Sequence, residues 1–330
     1  MLQVNPGWIS STPVFLRVRN GPDASDEHSA CARACIAVWR SHEMTLRTPE
    51  NSQRTRLASP SLLASVLGLY LALNFLTIFV LFPSGVLRVF SRPTAGLVSP
   101  TLLANALLVV IIVGVTLWRG RLGAEDIGLR RTGFASAISL TFLVWLAVNG
   151  VQATSALLAP GSLRLNPDWS SSSACRTLGI FLSQLMGNAL FEEILFRGVL
   201  FQQLRLHLLR RGSQPAVALI MALIVSQMIF AVIHVPLRLS SGMALADLPG
   251  ELALLFVLGV ILALLYWRTG NLYIVVGIHA LSNASVPFVE PRIDVSTNGA
   301  IAAAASLIII LIWPFRFRFT RAGHPRHPLR

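Results

Sequence analysis

Lysine is absent from this chain of 330 residues, and all 27 of its basic residues are arginine. Charge of either sign is scarce: charged residues make up 12% of the sequence, against about 25% in an ordinary soluble domain, while 54% is hydrophobic. That deficit excludes a conventional water-soluble globule. Cysteine is nearly missing as well. Cys31, Cys35 and Cys175 are the only three, too few for a disulfide framework, and the i,i+4 pair Cys31/Cys35 has no companion Cys or His pair with which to build a metal site. No basic n-region, apolar core and small-residue cleavage site open the chain, so no signal peptide is predicted. The zinc-protease signature His-Glu-x-x-His does not occur.

What the sequence has in abundance is long apolar runs. Residues 1–59 are polar, rich in Ser, Pro and Arg and without periodicity, and read as a disordered extension in which Met44 offers an alternative start. From residue 60 the pattern changes. Eight runs of about bilayer length follow, near 60–82, 101–118, 134–158, 178–200, 215–234, 250–267, 271–288 and 299–315. The expectation is an all-α fold: a polytopic membrane helix bundle of about eight transmembrane helices over 60–316, closed by a basic tail, 317–330.

The net charge of +13 could suggest nucleic acid, but the arginines lie in the tails and between apolar runs. They read as topology signals facing anionic lipid, and no nucleic-acid partner is expected. With the N-terminus inside, Arg119, Arg121, Arg130, Arg131, Arg205, Arg210, Arg211 and Arg268 join five arginines of the C-terminal tail on one face. Arg88, Arg92, Arg164, Arg176, Arg238 and Arg292 lie on the other. This asymmetry predicts both termini in the cytoplasm. Exclusive use of arginine fits a GC-rich bacterial genome and hence a bacterial plasma membrane.

Against this background three runs carry polar groups that need a reason, since a charge at the bilayer centre costs roughly 2.5–3.5 kcal/mol on insertion scales. The fourth contains Glu192, Glu193 and Arg197, the fifth Phe230 and His234, the seventh His279 and Asn283. On an α-helix consecutive residues project about 100° apart, so the two acids face different ways. Glu193 and Arg197 form an i,i+4 pair in the favourable acid-first order, a structural ion pair. Glu192 lies about 140° around the helix from Arg197 and is left available. His279 and Asn283 share a face, where two aligned donors can hold a developing oxyanion. A shielded carboxylate can act as the base that deprotonates a water. Together these groups suggest hydrolysis of a peptide bond within or beside the membrane. One feature resists: at 1.5 Å per residue Glu192 and His279 come out about 12 Å deep and Asn283 about 18 Å, but His234 about 28 Å, so tilted helices or shifted boundaries are required.

The set "EEILFR", "FAVIH" and "HALSN", in that order on separate apolar segments, resembles the CPBP family, which comprises CAAX prenyl protease type II and bacteriocin-processing relatives, the Abi proteins. "FVLGVILALLYWRTGNLY", with Phe256 and Gly259, and "EDIGLRR" extend the likeness over about 120–290. The resemblance implies an intramembrane glutamate-dependent endopeptidase acting on a membrane-associated peptide or protein. Glu192 would activate water with His234, and His279 and Asn283 would form the oxyanion site. It implies no cofactor; the family's older description as metal-dependent leaves a zinc ion on Glu192, His234 and His279 as the alternative. Two other readings compete: a non-catalytic bacteriocin-immunity or partner-binding membrane protein, and a proton-coupled transporter, since carboxylates and histidines also build relays. The paired repeats typical of such carriers are not visible in the sequence.

Overall fold

The computed structural model describes residues 56–158, 163–171, 173–291 and 295–313, all within one compact unit, 52–330. The expected extension, apart from its last four residues, and the basic tail lie outside these, as do Cys31 and Cys35. Each of the eight apolar runs becomes a helix: α1 Pro60–Ser84, α2 Pro100–Gly120, α3 Phe134–Leu158, α4 Ala174–Arg210, α5 Pro215–Ser240, α6 Leu248–Thr269, α7 Leu272–Asn283 and α8 Val295–Ile312. No strand occurs among the described residues beyond one isolated bridge, Leu165 to Val289.

Local chemistry places the helix ends. Ser59 and Ser99 cap α1 and α2 by accepting from the backbone N–H of Leu62 and Leu102, each followed by a proline whose fixed φ suits the first helical position. Gly270 closes α6 in the left-handed region (φ 61°), and Asn271 caps α7 through the N–H of Tyr273. Side chains such as Phe75, Val110, Phe142, Ile220 and Val257 project outward uncovered. Helices that are apolar on their outer faces as well belong in lipid. Lipid tails are themselves apolar, so helix association relies on close packing instead. A Cβ on Gly179 would overlap the backbone carbonyl of Gly96, and one on Gly277 would overlap the Thr141 hydroxyl.

Among the described residues six helices are long and apolar enough to cross a membrane; α7 and the Thr297–Ile312 part of α8 are shorter. The difference matters most at α7, expected as a span over 271–288. It has 12 residues, about 18 Å of rise, against a hydrocarbon core of about 30 Å. Nine of the 12 are buried, from Leu272 to Leu281, among α3, α4, α6 and α8. The helix stops at Asn283: Ala284 leaves helical backbone (φ −148°, ψ 88°), and Pro287 has no N–H to give the Asn283 carbonyl.

Non-helical backbone at such a place must be satisfied by protein groups. The Trp145 indole donates to the Val286 carbonyl (3.4 Å), and the Phe288 N–H donates to Asn149 Oδ1 (2.8 Å). The Pro287 carbonyl accepts from both Asn166 Nδ2 and Trp169 Nε1, each at 3.0 Å. The α7 terminus is therefore held on two sides, by α3 and by the 163–171 loop.

α4 departs from the expected α-helix in two ways. It runs 37 residues, well beyond the expected 178–200. Its outer turns grip the start of the described chain: Gln203 accepts from the Ala58 N–H (2.8 Å) and donates to the Arg56 carbonyl (3.1 Å), and His207 Nε2 donates to the Ala58 carbonyl (2.8 Å). It also winds as π-helix over Ser183–Asn188 and Glu193–Phe201. These i→i+5 turns are rare and concentrate at functional sites.

Candidate active site

The helical hairpin α4–α5 removes the depth conflict. Glu192 lies 18 residues before the end of α4 at Arg210, and His234 lies 19 residues after the start of α5 at Pro215. Counted from their shared turn, the two are level. His234 sits where α5 breaks at a turn, between Val232 and the short continuation Val235–Ser240. There its ring reaches back across α4, with Nε2 3.7 Å from Glu192 Oε1. The other carboxylate oxygen, Oε2, faces His279 Nε2 at 3.8 Å. Glu192 is 5% exposed and His279 7%, so the carboxylate is lodged between two imidazoles at the rim of the protein interior.

The remaining nitrogen of each ring is fixed by a partner that can only accept. His234 Nδ1 donates to the Phe230 carbonyl at 2.7 Å. His279 Nδ1 donates to Glu193 Oε1 at 2.6 Å. Both rings therefore turn Nε2 toward Glu192, as a lone pair when neutral and as a donor when protonated.

Glu193 and Arg197 form the expected ion pair at 3.0 Å, each with no exposed surface. The pair does more than clamp one helix, however, because the same Oε1 that meets Arg197 holds His279, 86 residues away. The π winding also revises the angular separation of the acids. It closes each turn one residue later than an α-helix, which brings Glu192 closer to the Arg197 face than 100° per residue implies.

Arg197 is enclosed further: its guanidinium lies 4.2 Å over the Phe230 ring, and Nη2 points to the Gly259 carbonyl at 3.5 Å. A Cβ on Gly259 would stand 2.8 Å from Gln227 Oε1 and 3.2 Å from Phe230, so glycine here permits the close approach of α5 and α6. Phe230 thus contributes its ring to Arg197 and His234 and its carbonyl to His234. Phe256 is partly buried.

Asn283 occupies the last residue of α7, one turn beyond His279 and exposed. Its Nδ2 donates to Gln184 Oε1 at 3.1 Å. Sequence reasoning missed Gln184, the Glu193–His279 contact, and Tyr70 of α1, which packs on Phe191 and Phe196 with ring centroids 5.0 and 6.2 Å apart. No local spacing announces a pair 99 residues apart, and a lone Gln or Tyr in an apolar run carries no pattern.

Among the described residues no group of three or more His, Cys, Asp or Glu is set to hold a metal ion. In the Glu192, His234 and His279 set considered for zinc, the two imidazoles face different carboxylate oxygens, at 3.7 and 3.8 Å.

Comparison with curated proteins and with solved structures finds no match. Comparison with protein families matches residues 174–285 to "Type II CAAX prenyl endopeptidase Rce1-like". That stretch contains Gln184, Glu192, Glu193, Arg197, His234, His279 and Asn283. The family match therefore covers the segment that carries both acids, the arginine, both histidines and the two amides of the site.

Proposed function

We propose that the protein is an intramembrane endopeptidase that hydrolyses a peptide bond in a membrane-associated peptide or protein, with Glu192 as the general base. The observation that carries this reading is a buried carboxylate set between two imidazole Nε2 atoms, at 3.7 and 3.8 Å. A water held between Glu192 and His234 gives a proton to the carboxylate as its oxygen attacks the scissile carbonyl carbon. The C=O π pair moves onto oxygen, and the resulting oxyanion accepts from His279 and Asn283. Collapse breaks the C–N bond, and the proton taken by Glu192, passed directly or through His234, goes to the leaving amine.

His279 turns its Nε2 toward the oxyanion while its Nδ1 stays with Glu193. Glu193 and Arg197 act on His279 without touching substrate. We place the enzyme in a bacterial plasma membrane with both termini cytoplasmic, on the distribution of arginines.

The test is a proteoliposome assay with quenched-fluorescent peptides, one ending in a prenylated cysteine followed by three residues and one plain apolar membrane peptide. Glu192→Gln keeps the shape of the side chain and removes the base. It is expected to abolish cleavage while the protein still inserts and unfolds at the wild-type midpoint. Cleavage by Glu192→Gln at the wild-type rate defeats the mechanism.

A further inference from the structure

We infer that Gln184 is a positioning residue for the catalytic amide, orienting Asn283 so that an N–H and not the carbonyl oxygen faces the developing oxyanion. The inference rests on the reading of Asn283 as an oxyanion donor. The two ends of an asparagine amide are nearly alike in shape and opposite in polarity. An exposed Asn on the last turn of a helix, followed by irregular backbone, has only one long local contact to choose its end, the Ser282 hydroxyl at 3.5 Å from its Oδ1. The wrong end puts an oxygen against the oxyanion and repels it.

Gln184 supplies the discrimination. Its Oε1 accepts from Asn283 Nδ2 at 3.1 Å, which identifies the Nδ2 end and leaves the second hydrogen on that nitrogen for the reaction. An amide already donating to one acceptor is also polarised, which strengthens the other N–H as a donor.

The fold brings Gln184 there by its winding. Gln184 precedes Glu192 by eight residues, and on a regular α-helix the two would be offset by about 80°. Both nevertheless face α7, Glu192 meeting His279 and Gln184 meeting Asn283. Gln184 lies within the π turn Ser183–Asn188, whose wider winding on the way to Glu192 works against that offset. This gives the rare winding at that place a purpose: it lines up base and amide-orienting residue on one face of α4.

The experiment is a double-mutant cycle in proteoliposomes on the peptide that the wild type cleaves. Asn283→Ala removes a donor and is expected to lower kcat on the order of 100-fold. Gln184→Ala is expected to lower kcat about tenfold with KM within about twofold, because it acts only where charge develops. In the Asn283→Ala background, Gln184→Ala should cost less than about twofold more. Gln184→Glu, which keeps the acceptor, should recover most of the rate.

A merely structural role would instead lower the unfolding midpoint of Gln184→Ala and add to Asn283→Ala in full, and either result overturns the inference. If Asn283→Ala lowers kcat and Gln184→Ala does not, the inference falls while the assigned mechanism stands. If Asn283→Ala leaves the rate unchanged, the oxyanion role fails, and Gln184 has nothing to position.

Discussion

Removing Glu193 should do two separable kinds of damage. In the native protein its carboxylate holds Arg197 at 3.0 Å and His279 at 2.6 Å, and neither Glu193 nor Arg197 has exposed surface. Glu193→Leu leaves the guanidinium buried against the Phe230 ring without its ion-pair partner. Breaking a buried pair from one side costs about 3–5 kcal/mol, a large part of the roughly 5–15 kcal/mol that holds a typical domain. Replacing both partners is different in kind: Glu193→Leu with Arg197→Met removes the desolvation penalty together with the attraction, and such swaps are often neutral or stabilising by about 1–4 kcal/mol. The double variant should therefore be at least as stable as the wild type, by tryptophan fluorescence during SDS titration of the purified protein. Hydrolysis should not return. His279 Nδ1 has lost its acceptor in both variants, so its ring orientation is no longer set, and a loss on the order of 100-fold or more is expected. A single variant as stable as the wild type would refute the electrostatic account, and a double variant with wild-type hydrolysis would refute the role of Glu193 in holding His279.

Three further outcomes follow from packing. Gly277→Ala drives a methyl group into Thr141, and a loss of about 1–3 kcal/mol is expected, largely reversed by adding Thr141→Ala; an equal loss with and without the second change would show that the clash lies elsewhere. Gly179→Ala meets the Gly96 carbonyl and the Leu97 backbone instead of a movable side chain, so its cost should reach the top of that range and yield to no single rescue, as read from unfolding midpoints. Gln203→Ala should loosen the residue 56–59 segment, which loses bonds at 2.8 and 3.1 Å. Hydrogen exchange there should rise with little change in kcat, and unchanged protection at Ala58 would count against this anchoring.

The parts of the site legible in advance are those a single helix arranges. Glu193 and Arg197 sit one turn apart, and the geometry of any helical winding near that period brings them together; His279 and Asn283 share a face of α7 for the same reason. Glu192 lies between the imidazoles, but its angle to Arg197 depends on the π winding, which the sequence pattern does not show. The predicted boundaries fared worse. Apolar length does not report whether a run spans lipid or lies inside protein, so α7 read as a span although it is a buried 12-residue helix. The outer turns of α4 are polar, which hides its true end at Arg210 from the apolar pattern, yet they bind the Arg56–Ser59 segment. The hidden end displaced the apparent depth of Glu192 relative to His234.

Composition by itself determined that the chain belongs in a membrane as a helical bundle, because scarce charge and long apolar runs leave no other way to satisfy the backbone in lipid. The order of the motifs determined which side chains to bring together. Only the tertiary structure decided how they meet: that Glu193 holds His279, that Gln184 receives Asn283, and that α7 ends inside the protein. Those contacts join residues 86 and 99 positions apart. They depend on the relative shift and rotation of packed helices, which two π-wound turns alter and which no repeat along one strand of sequence encodes.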